Sequence, residues 1–212
     1  MALKIDYSLY LVTDRTLSRK RSLSAIVSVA VLGGVSCVQL REKNCSTREF
    51  VSEARQLLQV LQPKKIPLII NDRVDVALAV GADGIHLGQS DMGLQDARRL
   101  VGKTMIVGIS AESTKDALEA EKYGADYIGV SPVFSTETKA DIAPPLGLLG
   151  VAEIRRRVSI PVVGIGGINL SNCADVIRAG ADGVAVVSAI VASACPETAS
   201  RDLHQAVRQA LS

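Results

Sequence analysis

The amino-acid sequence predicts an α/β fold, a single (β/α)8 TIM barrel, because short apolar runs recur along the chain and keep ending in polar residues. Residues 68–70 run into Asn71 and Asp72, for example, and residues 107–109 run into Ser110. Strands covered by helices on both faces are apolar throughout, and barrel active sites lie at the carboxyl ends of the strands. The length of 212 residues suits one such domain, spanning residues 1–212.

Eight strand–helix units follow from the apolar pattern. Strands are predicted at residues 8–13, 37–41, 67–70, 84–87, 105–110, 127–130, 161–165 and 183–187. Helices are predicted at residues 22–33, 47–61, 73–80, 94–101, 113–123, 147–157, 169–179 and 198–211. The first helix shows the spacing expected of a buried face, with Leu23, Ile26, Val27 and Ala30 on one side.

A Gly-Ala-Asp joint recurs before three of the strands, at residues 81–83, 124–126 and 180–182. Each glycine can adopt the left-handed conformation that ends a helix, and a short turn then enters the next strand. The joints therefore mark the amino-terminal end of the barrel, where a structural role is expected.

Composition excludes several partner classes. The net charge is only +2, and we interpret the one basic cluster, at residues 19–21, as a solvated loop, so we expect no nucleic-acid and no membrane partner. The cysteines, Cys37, Cys45, Cys173 and Cys195, lack metal-ligand spacing, which predicts reduced thiols and a cytoplasmic location. No secretory signal is visible, and the sequence leaves open whether the chain forms a homo-oligomer.

Three polar side chains alternate along the end of the second strand. Gln39, Arg41 and Lys43 share one face, while Val38 and Leu40 share the other. If the apolar pair faces the helices, the two cations point into the barrel mouth and need a negative partner. A phosphate or diphosphate is one such partner, and a purely structural network of Glu42 and other acids is the alternative.

Carboxylates follow the third and fourth strands. Asp72 and Asp91 end strands that should be neighbours, roughly 4.8 Å apart in a sheet, so both could bind one Mg²⁺ together with substrate phosphate oxygens. The alternative is that each aspartate caps the helix that follows it. His86, inside the fourth strand, is expected to be a hydrogen-bonded core or rim residue.

A second anion site is predicted where the seventh and eighth strands end. Gly166 and Gly167 permit a close approach of backbone N–H groups to an anion, and Ser188 follows the eighth strand. The connection over residues 131–145 is unusually long and contains Thr136, Thr138 and Lys139. It suits a lid over a phosphorylated substrate, although an ordinary polar surface loop is the alternative. Two anion sites and a metal predict two phosphorylated small molecules that meet at one barrel mouth, with catalysis by positioning, metal and charge stabilisation.

The ordered set of these motifs resembles the thiamine phosphate synthase family along nearly the whole chain. The resemblance rests on residues 39–43, 71–72, 86–91, 108–110, 132–139 and 164–168. It implies a Mg²⁺-dependent transferase that condenses 4-amino-2-methyl-5-hydroxymethylpyrimidine diphosphate with 4-methyl-5-(2-phosphoethyl)thiazole. Diphosphate leaves first, and the thiazole nitrogen then captures a pyrimidine-stabilised cation.

The resemblance also implies residue roles. The pyrimidine diphosphate would be bound by Gln39, Arg41, Lys43, Asn71, Ser110 and Lys139. The thiazole phosphate would be bound by Thr136, Thr138, Gly167, Val187 and Ser188. The catalytic residues would be Arg41, Lys43, Ser110 and Lys139, with Asp72 and Asp91 as the metal ligands.

The chain departs from the family pattern at two positions. Glu112 stands where the family often has histidine, and Ser135 stands where it often has proline. A related thiazole tautomerase, which uses a histidine near the position of Glu112, is one alternative function. A phosphate-metabolite sensor without catalysis is the other, although the retained pair of Asp72 and Asp91 argues against it.

Overall fold

Eight parallel strands close into a barrel in the computed structural model, which describes residues 5–136 and 144–212. The strands are β1 Leu9–Val12, β2 Cys37–Leu40, β3 Leu68–Asn71, β4 Gly84–Leu87, β5 Ile106–Ala111, β6 Tyr127–Val130, β7 Val162–Ile165 and β8 Gly183–Val186. Each strand pairs with the next along the chain, and β8 pairs with β1. The predicted fold class is confirmed, and every strand lies within one residue of its predicted bounds.

The helices surround this barrel. They are α1 Leu23–Leu32, α2 Thr47–Leu61, α3 Val74–Val80, α4 Leu94–Val101, α5 Thr114–Lys122, α6 Gly147–Arg157, α7 Cys173–Arg178, α8 Ser188–Val191 and α9 Pro196–Leu211. Short 3-10 turns occur at Thr16–Ser18 and Gln62–Lys64. In the part of the chain that the structure describes, no helix combines the length and the hydropathy needed to cross a membrane.

Two of the helix predictions need correction. The helix predicted at residues 169–179 spans only Cys173–Arg178, because the Asn169 and Asn172 side chains accept hydrogen bonds from nearby backbone amides and hold a turn instead. The helix predicted at residues 198–211 begins earlier, at Pro196, a residue suited to the first helical position.

Two apolar layers fill the fold. The outer layer packs the strands against the helices and includes Val38 and Leu40. The inner layer lies inside the barrel and includes Tyr10, Cys37 and Tyr127. Since Cys37 and Val38 lie in different layers, the predicted sidedness of the second strand is confirmed.

The Gly-Ala-Asp joints lie at the amino-terminal ends of β4, β6 and β8, as predicted. Their glycines are left-handed, with φ of +67° at Gly81, +87° at Gly124 and +107° at Gly180. Each aspartate carboxylate accepts a hydrogen bond from the backbone N–H of the first or second residue of the preceding strand. The pairs are Asp83 with Leu68, Asp126 with Val107 and Asp182 with Val162, all at 2.8 Å. One carboxylate therefore ties the starts of two neighbouring strands together.

Candidate active site

A cavity of about 590 Å³ opens at the carboxyl ends of the strands, and we call it the rim cavity. It brings together most of the residues singled out in the sequence. Those lining it are Gln39, Arg41, Lys43, Asn71, Asp72, Asp91, Ser110, Thr136, Gly167, Val187 and Ser188. The two remaining candidates, Thr138 and Lys139, lie outside the described residues.

The two cations at the end of β2 are held by carboxylates from neighbouring loops. Arg41 Nη1 lies 3.4 Å from Asp14 Oδ2, and Lys43 Nζ lies 2.5 Å from Asp72 Oδ2. Asp14 itself is fixed, because its Oδ1 accepts hydrogen bonds from the backbone N–H groups of Thr16 and Leu17. Arg41 therefore enters the cavity from a prearranged position.

Glu42 does not serve as the partner of these cations. Its carboxylate lies 2.7 Å from Arg15 Nη2, and the same guanidinium contacts Glu53 at 2.9 Å. Glu42 is therefore wrong as a member of the structural network around Arg41 and Lys43, although other acids do pair with both cations. The partners that the sequence reasoning missed are Asp14 and, for Lys43, the predicted metal ligand Asp72.

The aspartates after β3 and β4 do not cap the following helices. The N-cap positions are Arg73 and Gly93, and neither helix start has a side-chain cap. Asp72 adopts a left-handed backbone with φ of +62°, and Asp91 Oδ2 accepts a 2.7 Å hydrogen bond from the Gly88 N–H. The helix-capping alternative is wrong for both residues.

Burial, together with a hydrogen bond to Asp72, raises the pKa of Asp91. Two acidic side chains thus share one place in the cavity, where a cation would relieve their repulsion. Within residues 5–136 and 144–212, no cluster of three or more histidine, cysteine or acidic residues forms a complete metal cage. Mg²⁺ does not require one, since it commonly binds one or two carboxylates together with water and substrate phosphate oxygens.

The opposite side of the cavity is built by glycines after β7 and by the start of α8 after β8. Gly166 and Gly167 have φ of +103° and +64°. A Cβ atom on Gly167 would lie 2.6 Å from the Ser135 carbonyl oxygen, so this glycine also lets the segment that carries Thr136 pack closely. The Phe134 N–H donates to the Gly166 carbonyl at 3.0 Å, which holds that segment against β7.

Helix α8, which begins at Ser188 directly after β8, was missed in the sequence. Its four residues are too few to show a helical period. The helix places Ser188 at the edge of the rim cavity, opposite the carboxylates.

Tyr10 and Tyr127, two further lining residues, were also missed, and both are buried in the barrel interior. Their hydroxyl oxygens lie 2.9 Å apart, and the Tyr127 hydroxyl lies 2.9 Å from His86 Nδ1. His86 is a hydrogen-bonded core residue, as predicted, and its Nε2 lies 3.0 Å from Ser110 Oγ. The available signal was a tyrosine within an apolar strand, although such a residue is more often plain core.

Comparisons with known proteins agree with this geometry. The model of the family described as thiamine monophosphate synthase matches residues 9–190. A thiamine-phosphate synthase of Chloroflexus aurantiacus is 53% identical, covering 96% of this chain and 94% of the relative. One of Syntrophomonas wolfei is 54% identical, covering 94% of this chain and 96% of the relative.

A solved structure, the thiamine phosphate pyrophosphorylase from Pyrococcus furiosus, superposes with a TM-score of 0.91. It is 40% identical in sequence and covers 98% of both chains. On sequence and fold together, the chain belongs to the thiamine monophosphate synthase family.

Proposed function

We propose that this chain is a transferase that joins 4-amino-2-methyl-5-hydroxymethylpyrimidine diphosphate to 4-methyl-5-(2-phosphoethyl)thiazole, giving thiamine phosphate and diphosphate. The observation that carries the proposal is the division of the rim cavity into two polar halves. One half holds Arg41, Lys43 and a pair of carboxylates, and the other holds Gly167 and Ser188. Two phosphorylated ligands can therefore meet across one opening.

The diphosphate half supplies charge stabilisation. Arg41 and Lys43 would bind oxygens of the diphosphate and stabilise the charge that develops as its bond to the pyrimidine methylene carbon breaks. An ammonium group has three donors, so the contact of Lys43 with Asp72 leaves two for the substrate. Asn71, which is buried beside Asp72, would donate its amide N–H groups to the same diphosphate.

Asp72 and Asp91 suit a magnesium ion, because the two acidic groups lie together in the cavity and Mg²⁺ commonly binds one or two carboxylates with substrate phosphate oxygens. Mg²⁺ bound there would neutralise charge on the leaving diphosphate. Lys43, in contact with Asp72, would keep that carboxylate oriented.

The thiazole half would hold the second substrate. Thr136, Gly167, Val187 and Ser188 surround the space in which we place the thiazole phosphate. The bond to diphosphate breaks with its electron pair on the departing oxygen, and the thiazole nitrogen then forms the new bond to the methylene carbon. On the family resemblance we assign Thr138 to the thiazole phosphate and Lys139 to charge stabilisation on the diphosphate. A cytoplasmic location likewise stays a prediction.

Diphosphate release tests the proposal directly. The protein is freed of metal with a chelator, and diphosphate is measured with both substrates, with each alone, and with or without Mg²⁺. We expect release only with both substrates, and an increase on adding Mg²⁺. Isomerisation of a carboxythiazole without diphosphate release would indicate the tautomerase instead, and tight binding without turnover would indicate a sensor.

A further inference from the structure

Five polar side chains form a continuous hydrogen-bonded chain across the barrel interior, which we call the interior relay. In order, it comprises Gln39 on β2, Tyr10 on β1, Tyr127 on β6, His86 on β4 and Ser110 on β5. The four links measure 3.0, 2.9, 2.9 and 3.0 Å. Its two ends, Gln39 and Ser110, both line the rim cavity. Both belong to the set that the family resemblance assigns to the pyrimidine diphosphate, and we place the pyrimidine ring between them.

The first half of the interior relay has one direction. Gln39 Nε2 donates to the Tyr10 hydroxyl oxygen, so the Tyr10 hydrogen is available for the next link. Tyr10 and Tyr127 are almost wholly buried, and a buried hydroxyl hydrogen requires an acceptor. The Cys37 sulfur also lies within hydrogen-bonding reach of the Tyr10 hydroxyl, but it is a weak acceptor. Tyr10 therefore donates to Tyr127, and Tyr127 donates its single hydrogen to His86 Nδ1.

The second half follows from the tautomer of the imidazole. A neutral ring whose Nδ1 accepts carries its hydrogen on Nε2, which donates to Ser110 Oγ. A doubly protonated ring would leave the Tyr127 hydrogen without an acceptor in the relay. Because Ser110 Oγ accepts from His86, its own hydrogen is free to point into the cavity.

The Gln39 end of the interior relay presents a hydrogen-bond acceptor to the cavity instead of a donor. Gln39 uses its amide nitrogen on Tyr10, and its Oε1 makes no hydrogen bond with any residue of the described ranges. This oxygen is not among the fully buried unpaired atoms there, so it retains access to the cavity. The cavity thus offers one acceptor, Gln39 Oε1, and one donor, the Ser110 hydroxyl.

We propose that the interior relay selects the amino form of the pyrimidine substrate and rejects its oxo counterpart, by fixing Gln39 as an acceptor and Ser110 as a donor. The inference rests on the proposed function, since it concerns the ring of the same substrate. A 4-aminopyrimidine presents an N–H donor beside a ring-nitrogen acceptor, which complements these two groups. The 4-oxo ring presents a carbonyl acceptor beside an N–H donor, so both contacts would be reversed.

Tyr10 and Tyr127 are positioning residues in this account, because they act through Gln39, His86 and Ser110. The barrel makes room for the relay at Gly108, where a Cβ atom would lie 2.1 Å from Tyr127 Cζ. Tyr7 supplies a matched control. Its ring packs against that of Tyr127 in a tilted contact, with centroids 4.7 Å apart, yet its hydroxyl makes no hydrogen bond within residues 5–136 and 144–212.

The tautomer of His86 can be read by nitrogen-15 NMR without any substrate. The chain has two histidines, so His204→Gln assigns the spectrum. We expect the hydrogen on Nε2 of His86 in the wild type and in Tyr7→Phe. In Tyr127→Phe, which removes the donor to Nδ1, we expect a population with the hydrogen on Nδ1.

Kinetics supply the second readout. The wild type should prefer the amino over the oxo pyrimidine diphosphate by roughly 10³-fold or more in kcat/KM, because a site built for hydrogen bonds rejects a mismatched edge strongly. Tyr127→Phe should lower this preference by about tenfold or more. Tyr7→Phe should retain it.

Three results would overturn the proposed role of the interior relay in substrate selection. They are a wild-type His86 with its hydrogen on Nδ1, a wild type that uses both pyrimidines equally, and a Tyr127→Phe protein that keeps both the tautomer and the preference. The wild-type spectrum decides the direction even if Tyr127→Phe does not fold. If the wild type turns over neither pyrimidine, the proposed function fails, and the spectrum still tests the relay.

Discussion

Gly167→Ala should destabilise the fold and weaken the thiazole half of the rim cavity together. The residue has φ of +64°, where a side chain costs about 1–2 kcal/mol. The new Cβ atom would lie 2.6 Å from the Ser135 carbonyl oxygen and 2.8 Å from Phe134 Cβ, so the segment leading to Thr136 must retreat. Forced repacking of this kind costs about 1–3 kcal/mol. We expect a total loss of about 2–5 kcal/mol in the free energy of unfolding.

Gly81→Ala separates the two contributions. Gly81 has a nearly identical φ of +67°, but no atom lies within 4 Å of its Cβ position. It should lose only the conformational part, about 1–2 kcal/mol, in urea unfolding followed by circular dichroism. KM for the thiazole phosphate should rise in Gly167→Ala and stay unchanged in Gly81→Ala. Equal stability losses, or an unchanged KM in Gly167→Ala, would refute the packing argument.

Three further changes test other parts of the site and fold. Asp91→Asn should lower the rate of diphosphate release on the order of 10²-fold at saturating Mg²⁺, with little change in the free energy of unfolding. Asp96→Asn, at an exposed position, should leave the rate unchanged. Equal rates in the two variants would show that Asp91 is not a metal ligand. Asp14→Asn should raise KM for the pyrimidine diphosphate by several-fold, because it removes the carboxylate beside Arg41. An unchanged KM there would show that Arg41 needs no such support. The Ser46 backbone N–H and hydroxyl donate hydrogen bonds to the Glu49 carboxylate and lower its pKa. The ionised carboxylate therefore stabilises the fold above the ordinary glutamate pKa, and this stabilisation is lost as the pH falls through the lowered pKa. Wild type should therefore lose more stability than Glu49→Gln as the pH falls, and parallel urea midpoints would contradict this.

Local signals made the barrel predictable. Apolar runs and the Gly-Ala-Asp joints lie within a few residues of the strands that they mark, so all strand positions could be found. Helix α7 was misplaced because Asn169 and Asn172 satisfy backbone amides by short-range hydrogen bonds, which compete with a helix of similar composition.

The site was predictable where a charged, hydrogen-bonding or glycine residue ends a strand. Asp72 and Asp91 stand out for that reason, and the structure places both in the rim cavity. Tyr10 and Tyr127 are 117 positions apart, and a tyrosine in a buried strand has the same pattern as any core residue. Their contact depends on the closure of the barrel, which no local pattern reveals. The same holds for Asp14, which reaches Arg41 from another loop.

The aspartates of the Gly-Ala-Asp joints bear on how the chain could be circularly permuted. The Asp126 carboxylate, for instance, accepts a hydrogen bond from the Val107 N–H near the start of β5, while its own backbone leads into β6. New termini cut at this joint would separate the two strand starts that one carboxylate holds. Termini placed in a loop at the carboxyl ends of the strands, where the rim cavity opens, would leave all three aspartate contacts intact. The register of the strands should therefore survive a cut at that end of the barrel.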